Sequence, residues 1–411
     1  SAVFEENEIS IFNRESNSTS IINLYEKDCQ NSYESTIFQK VYFNIKLNSF
    51  IDVDFEYSDN LCADETKNLI KYLVNKIEVF RTTINKNSDD ILYSNVYKKS
   101  NISINIKDLT TLNQVKREKL IEEDKINAKN LIMNNLFGTP LYRILAYRVS
   151  FNKIKLTLIL HHSIADGASS VILSKYVSNY FHKRDTISLG TKIYLEKLSK
   201  NSNATQLLEN SYIEKLKSIN KDFPNNIQKS SIWEKGLKIV KNIGEMDKWQ
   251  KFLLVADEVT NEYMQINELV EITFQMLFDF RTIGEDEFEL LVNDCHETVT
   301  FYRHKNTNTV EFINDFYSHI QNFHYKNGIS LGYAIYNNFP FFNKNQQKLK
   351  DIVEISPINI NYIGEISEKK INEKINEIEQ LKVQLKNLKN QTRFTAFSSG
   401  DDIYIFQVSN L

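Results

Sequence analysis

In KLTLILHHSIADGASS, Lys155 to Ser170, an apolar strand runs into two adjacent histidines and then into an Asp-Gly pair. Upstream, Ile154, Leu156, Leu158 and Leu160 alternate with Lys155 and Thr157, the period of two that marks a β-strand. Downstream, Leu173, Tyr176, Val177, Tyr180 and Phe181 recur at three and four, the period of a helix. The histidines therefore lie where a strand passes into a helix through a short loop. That order of elements requires a chain mixing α and β structure.

Taken one at a time, these residues have purely structural readings. His161 is then a satisfied core histidine, His162 a surface one, Asp166 an N-cap for a helix starting near Ala168, and Gly167 a turn residue. Taken together they point further, because histidine is scarce here, with seven in 411 residues. Successive strand residues face opposite sides, so the two imidazoles cannot both enter the core. One anchors, and the other projects into a cleft at the sheet edge. A neutral imidazole with a pKa near ~6.5 is the default general base. Asp166 then either orients that histidine or ties the loop to a nearby cation.

The length exceeds what one hydrophobic core usually supports, so two domains or lobes are expected. A net charge of -3 leaves no electrostatic footprint for nucleic acid. Cys29, Cys62 and Cys295 are odd in number and widely spaced, which fits neither a disulfide framework nor a Cys-x-x-Cys metal pair. Cys295, His296 and His304 lack zinc spacing, so no metal is expected. The start, SAVFEENEIS, is acidic and lacks signal-peptide blocks, and no apolar run approaches the ~20 residues of a membrane span. A cytoplasmic location is the expectation.

Along the chain, Asp64 to Phe80 places Leu69, Ile70, Leu73, Val74, Ile77 and Phe80 at helical spacing. Residues 1–182 read as a first lobe carrying the histidine loop, 183–242 as a polar crossover, and 243–411 as a second lobe. The second lobe holds the strand candidates ITFQMLFDF, ININYIGEI and DIYIFQVSNL. A charged helical insertion at about 367–392 carries the stripe Ile371, Ile375, Ile378, Leu381, Leu385 and Leu388. That stripe either packs on its own protein or serves a partner or oligomeric coil.

HHSIADG resembles the His-His-x-x-x-Asp-Gly motif of the chloramphenicol-acetyltransferase-like acyltransferases, and in particular the condensation and epimerisation domains of nonribosomal peptide synthetases. KIEVFRTTI (Lys76 to Ile84) is similar to the family's Arg-His-Glu-x-Leu-Arg-Thr segment, with Glu78, Arg81 and Thr82 in register. TIFQKVYF and FGTPLYRIL echo two further segments of the first half. INYIGEI resembles the Phe-Asn-Tyr-Leu-Gly segment of epimerisation domains, and KNGISLGYAIY their Gly-rich segment. The resemblance spans about residues 30 to 411 and is stronger in the first half. Where epimerisation domains carry Glu-Gly-His-Gly-Arg, this chain has Leu277-Phe278-Asp279-Phe280-Arg281, without the acidic residue at the first position. The His-Gln-x-x-Pro-Phe-Glu segment of peptide-bond-forming domains is also missing from the sequence.

The resemblance implies an α/β fold of two-layer lobes, a V-shaped pseudodimer with an active-site tunnel between the lobes. It implies an acyltransferase taking an acyl thioester, on CoA or on the phosphopantetheine arm of a carrier protein, to an amine or hydroxyl acceptor that is a small molecule or carrier-bound. In that scheme the thioester is a co-substrate and no cofactor is bound permanently; the sequence shows no carrier-domain serine motif, so any carrier protein is expected either in trans or on a part cut away from this chain. His162 is the general base, His161 and Gly167 support the loop, and Asp166 pairs with Arg81 to pin it. Asn361 is a tunnel contact from the second lobe. A catalytically degenerate member that binds a carrier or ligand is the alternative, with scaffolding through the charged helix a third reading.

Overall fold

The computed structural model describes residues 8–10, 21–25, 29–44, 46, 48–58, 63–186, 189–199, 218, 232–233, 236–279, 281, 289–320, 358–385 and 392–409. KNGISLGYAIY, Cys62 and Leu388 lie outside them. The chain divides into two compact units, residues 1–196 with 284–295, and residues 197–283 with 296–411. Both mix helices and strands, as the α/β reading required.

The first unit begins with β1 (Glu8–Ser10), β2 (Ile21–Tyr25), β3 (Cys29–Glu34), α1 (Ile37–Asn44) and β4 (Phe50–Ser58). It continues with α2 (Ala63–Lys76), β5 (Thr82–Lys86), β6 (Leu92–Tyr97), β7 (Asn101–Ser103) and β8 (Ile106–Asp108). Helix α3 (Gln114–Asn134), β9 (Tyr142–Ser150), β10 (Lys153–His161), α4 (Gly167–Phe181) and α5 (Thr191–Ser199) complete it. The sheet that positions the histidines has the order β4-β10-β9-β8. β10 runs antiparallel to both neighbours, with His161 opposite Phe50 and Leu160 opposite Ile51 and Tyr142.

Every residue of β10 from Leu156 to His161 is buried, on both faces of the strand. β10 is an inner strand, and helices cover its sheet. α3 packs on β9 and β10, and α4 packs on β4 and α2. Thr157, polar by composition, is accommodated by donating to Asp54 Oδ1 at 2.6 Å. The apolar stripe of α2 behaves as its spacing predicts, with Leu69, Ile70, Leu73 and Val74 wholly buried. The helix stops at Lys76 rather than Phe80 because Ile77 turns to an extended conformation, and Glu78–Arg81 form a 3₁₀ turn into β5.

The second unit contains β11 (Leu237–Lys241), α6 (Lys248–Ile266), β12 (Glu271–Asp279), β13 (His296–His304) and α7 (Thr309–Ile320). It ends with β14 (Ile358–Glu365), α8 (Ile371–Leu385), β15 (Thr392–Ser399) and β16 (Asp402–Ser409). Among the described residues, its six strands form one mixed sheet in the order β11-β16-β15-β14-β12-β13. The three strands expected here, β12, β14 and β16, are all members. Arg303 and Asp257 make a buried ion pair at 2.5 Å, and the Arg303 guanidinium stacks on Phe312. Such a pair costs desolvation, and here further hydrogen bonds from Thr309 to Asp257 and from Arg303 to Thr260 offset it.

One difference from the sequence boundaries bears on the site. Residues 284–295, read from sequence as part of 243–411, belong to the first unit. The physical reason is a set of hydrogen bonds to the loop and helix that follow the histidines: the Leu290 and Asn293 carbonyls accept from Tyr176 and Ser169, and the Cys295 N–H donates to Asp166.

Helix α8 packs on β16. Ile378 is buried in a cluster with Phe397, Phe406 and Val408, and Ile371 and Ile375 flank it. The side chains of Leu381 and Leu385 lie outside the described residues. Truncating Ile378 to Ala should cost about 2–5 kcal/mol in urea unfolding, the usual range for a buried Ile. An unchanged midpoint would show that the stripe serves something other than its own unit.

Candidate functional site

The strand-to-helix loop is held by its backbone before any side chain acts. His161 N–H donates to the Leu141 carbonyl at 2.9 Å, and His162 N–H to that of Ser49 at 2.9 Å. His162–Ile164 then form one 3₁₀ turn, closed by Ala165 N–H to the His162 carbonyl. Asp166 is the N-cap of α4 in a full capping box. Its Oδ1 accepts from Ser169 N–H at 2.9 Å, and its own N–H donates to Ser169 Oγ at 3.1 Å. Its other oxygen, Oδ2, accepts from the Cys295 backbone N–H at 3.0 Å. Asp166 is fully buried, so these donors take the place of the water it has lost.

His161 is buried against aromatic edges, with the Phe50 ring 5.4 Å and the Phe43 ring 6.2 Å from its own. Its Nδ1 accepts from Ser163 N–H at 3.2 Å and lies 2.8 Å from Ser163 Oγ. A backbone N–H can only donate, so Nδ1 carries no proton and this histidine is a neutral Nε2–H tautomer. That makes it an anchor for the turn.

His162 follows the last strand residue and keeps 27% of its side chain exposed. Tyr42 of α1 lies beside it, with ring centroids 5.4 Å apart. Its Nδ1 is 3.6 Å from Oδ2 of Asp294, whose side chain is only 2% exposed. Burial works against the imidazolium, but the Asp294 carboxylate outweighs it, with a smaller push from Asp166, and the pKa rises above its ordinary 6.5. Burial and the same Asp294 carboxylate hold the Tyr42 phenol well above the tyrosine range, so its hydroxyl stays a donor in their shared hydrogen bond.

Sequence reasoning missed Asp294, because it arrives from a segment remote in the chain. Tyr176 OH donates to the Leu290 carbonyl at 3.3 Å, and Ser169 Oγ lies 3.3 Å from that of Asn293. Lys175 pairs with Glu289, and Asn293 Nδ2 donates to Thr191 Oγ1 at 3.0 Å. Leu291 and Val292 are buried between these polar ties. The sequence carried one signal, a polar Asn-Asp-Cys following the apolar Leu290-Leu291-Val292, but nothing in it names His162 as the target.

The expected pair between Arg81 and Asp166 does not form. Arg81 Nη1 donates to the carbonyls of Tyr97 and Lys98. The reason is register: β5 and β6 pair Thr82 with Val96, which sets Arg81 across from Tyr97. Asp166 meanwhile has its oxygens filled by Ser169 and Cys295. Gly167, the first residue of α4, does not have a left-handed φ, and a Cβ built on it would meet nothing within 4 Å. Neither the turn nor the packing therefore requires glycine there. Asn361 is half-buried on β14 opposite Thr395. Asp279 is occupied by Arg281, with Nη1 to Oδ1 at 3.0 Å. Among the described residues no group of three or more His, Cys, Asp or Glu is placed to share a metal ion.

Asp166→Ala removes an N-cap, worth about 0.5–2 kcal/mol, and strands the Cys295 N–H, worth about 1–3 kcal/mol. Unfolding should show a loss within the sum of those ranges. Because Arg81 is not its partner, the Arg81→Ala loss should add to it within about 0.5 kcal/mol. A coupling above about 1 kcal/mol would reveal a pair that this geometry does not contain.

A family model for the Condensation domain matches residues 30–212. No curated protein matches the chain. Among solved structures, the starter condensation domain of rhizomide synthetase superposes with a TM-score of 0.60 at 9% identity, over 93% of this chain and 92% of that one. The epimerization domain from the third module of tyrocidine synthetase B gives 0.57 at 12% identity, over 92% of each chain. A structure concerned with condensation domain-mediated chain release from the enacyloxin polyketide synthase gives 0.56 at 11% identity, over 90% of this chain and 77% of that one. At these identities the likeness is one of fold. The resemblance carried by the histidine loop is borne out: residues 30–212 match the condensation domain family, and the chain has the fold of condensation and epimerization domains of the chloramphenicol-acetyltransferase-like superfamily.

Proposed function

We propose that this chain is a condensation-type acyltransferase, moving an acyl group from a thioester to an amine or hydroxyl acceptor with His162 as the base. The observation that carries this reading is the contrast between the two histidines. His161 has its Nδ1 committed to Ser163, whereas His162 is only half-buried and turns Nδ1 toward a buried carboxylate, which in this reading leaves Nε2 for the acceptor. The donor is an acyl-CoA or an acyl group on the phosphopantetheine arm of a carrier protein.

In the proposed reaction the acceptor's nitrogen or oxygen attacks the thioester carbonyl while its proton passes to Nε2 of His162. The tetrahedral adduct collapses by breaking the C–S bond, and the departing thiolate takes the proton back from the imidazolium. A thiol has a pKa near ~8.5, so its thiolate leaves readily and no covalent acyl-enzyme is required. The epimerase alternative has less support, because Asp279, the acid nearest the missing position, is already bonded to Arg281. We also propose Asn361 as a substrate contact and the space over Gly167 as part of the substrate's approach, since the fold does not need a glycine there.

His162→Ala should cut transfer by about 10²–10⁴ with the fold intact, as followed by mass spectrometry of product from a panel of acyl-CoA and acyl-carrier donors. A degenerate binding protein would show no turnover in either chain. The pH profile carries a sign. His162 must be neutral to accept a proton and its pKa is raised, so activity should be lost as pH falls through a value above ~6.5 and should plateau at higher pH. An acid limb below that of free imidazole contradicts the assignment. Gly167→Ala should leave stability unchanged or raised by up to about 1 kcal/mol, while KM for the thioester rises. Native kinetics in that variant would remove Gly167 from the site.

A further inference from the structure

We propose that Asp294 is a positioning residue for His162: its carboxylate engages Nδ1, fixes the imidazole as the Nδ1–H tautomer, and leaves the Nε2 lone pair for the acceptor's proton. The inference rests on the acyl-transfer reading for its purpose, but its physical content is a contact that stands alone. Nδ1 of His162 is buried and has no hydrogen-bond partner among the described residues within normal length, and Asp294 Oδ2 lies 3.6 Å away. A shift of a few tenths of an ångström closes that bond, as catalytic hydrogen bonds do when substrate arrives.

The surroundings show why the carboxylate stays put. Asn293 Oδ1 accepts from the Asp294 backbone N–H at 2.8 Å, and Asn293 Nδ2 is tied to Thr191. Cys295 N–H is tied to Asp166 on the other side of the aspartate. The Tyr42 hydroxyl donates to the same carboxylate from α1. Among the described residues, the ionisable groups facing His162 are thus Asp294 and, farther off, Asp166, with the protonated Tyr42 phenol between α1 and the imidazole. Both acids favour the imidazolium that forms when the acceptor's proton arrives. Asp294 therefore acts twice, first on the tautomer and then on the charge.

His162's own backbone carbonyl is a competing acceptor for Nδ1–H, so the tautomer alone does not identify Asp294 as the cause. The test is ¹⁵N NMR of the histidine-labelled full chain, with the His162 signals assigned by their loss in His162→Ala. In the native chain, neutral His162 should carry its proton on Nδ1 and titrate above the ordinary ~6.5. Asp294→Asn should lower that titration point, and Asp294→Glu should restore it in part. In the thioester assay Asp294→Asn should reduce the plateau rate by at least about tenfold, less than the loss from His162→Ala, and move the acid limb to lower pH. A purely structural role would lower activity without moving either titration. An Nε2–H tautomer, a native titration at or below the ordinary value, or an unchanged titration in a folded Asp294→Asn chain would each overturn the proposal. The native measurements need no variant to fold. If no thioester is turned over, the acyl-transfer reading fails while the tautomer and titration still decide the pairing.

Discussion

A single buried carboxylate, Asp166, holds this site together. One oxygen closes the first turn of α4 through Ser169, and the other accepts the backbone N–H of Cys295. No cation is needed, because the α4 N-terminus already supplies positive partial charge and directed N–H groups. Three parts of the chain meet at that one group: the turn after β10, the helix after it, and the segment ending at Cys295. Without it, the polar ends of the loop and of the returning segment would both be left facing a dry interior.

The electrostatics of His162 follow from that junction. Fastening Cys295 to Asp166 delivers Asp294, one residue earlier, to within 3.6 Å of the imidazole. The balance then favours the charged ring, despite burial. A stronger base takes a proton more completely, yet a smaller fraction of it is neutral at a given pH. In the proposed reaction a base with an elevated pKa suits an acceptor whose attacking atom must shed a proton as the bond forms, and the departing thiolate then takes that proton from the imidazolium. In that proposal His161 has no such role, because its Nδ1 is bonded to Ser163.

Much of the local architecture was legible, and the failures have a common cause. The alternation up to Leu160, the Asp-Gly pair and the three-four spacing to Phe181 locate β10, the turn and α4, because each depends on neighbours in sequence. The α2 stripe and the Ile378 face of α8 were legible for the same reason. Arg81 was assigned to Asp166 by motif register, but strand pairing of β5 with β6 sets it opposite Tyr97. The double-sided burial of β10 depends on α3, α4 and its flanking strands, which its own alternation cannot report. Asp294 was missed outright, since its meaning lies in a contact across more than a hundred residues.

The most direct test of this account is hydrogen exchange at the Cys295 amide. The structure predicts that this N–H is strongly protected, that Asp166→Ala abolishes the protection, and that Arg81→Ala leaves it in place. Rapid exchange at Cys295 in the native chain, or protection that survives the loss of Asp166, would contradict the junction on which the site depends.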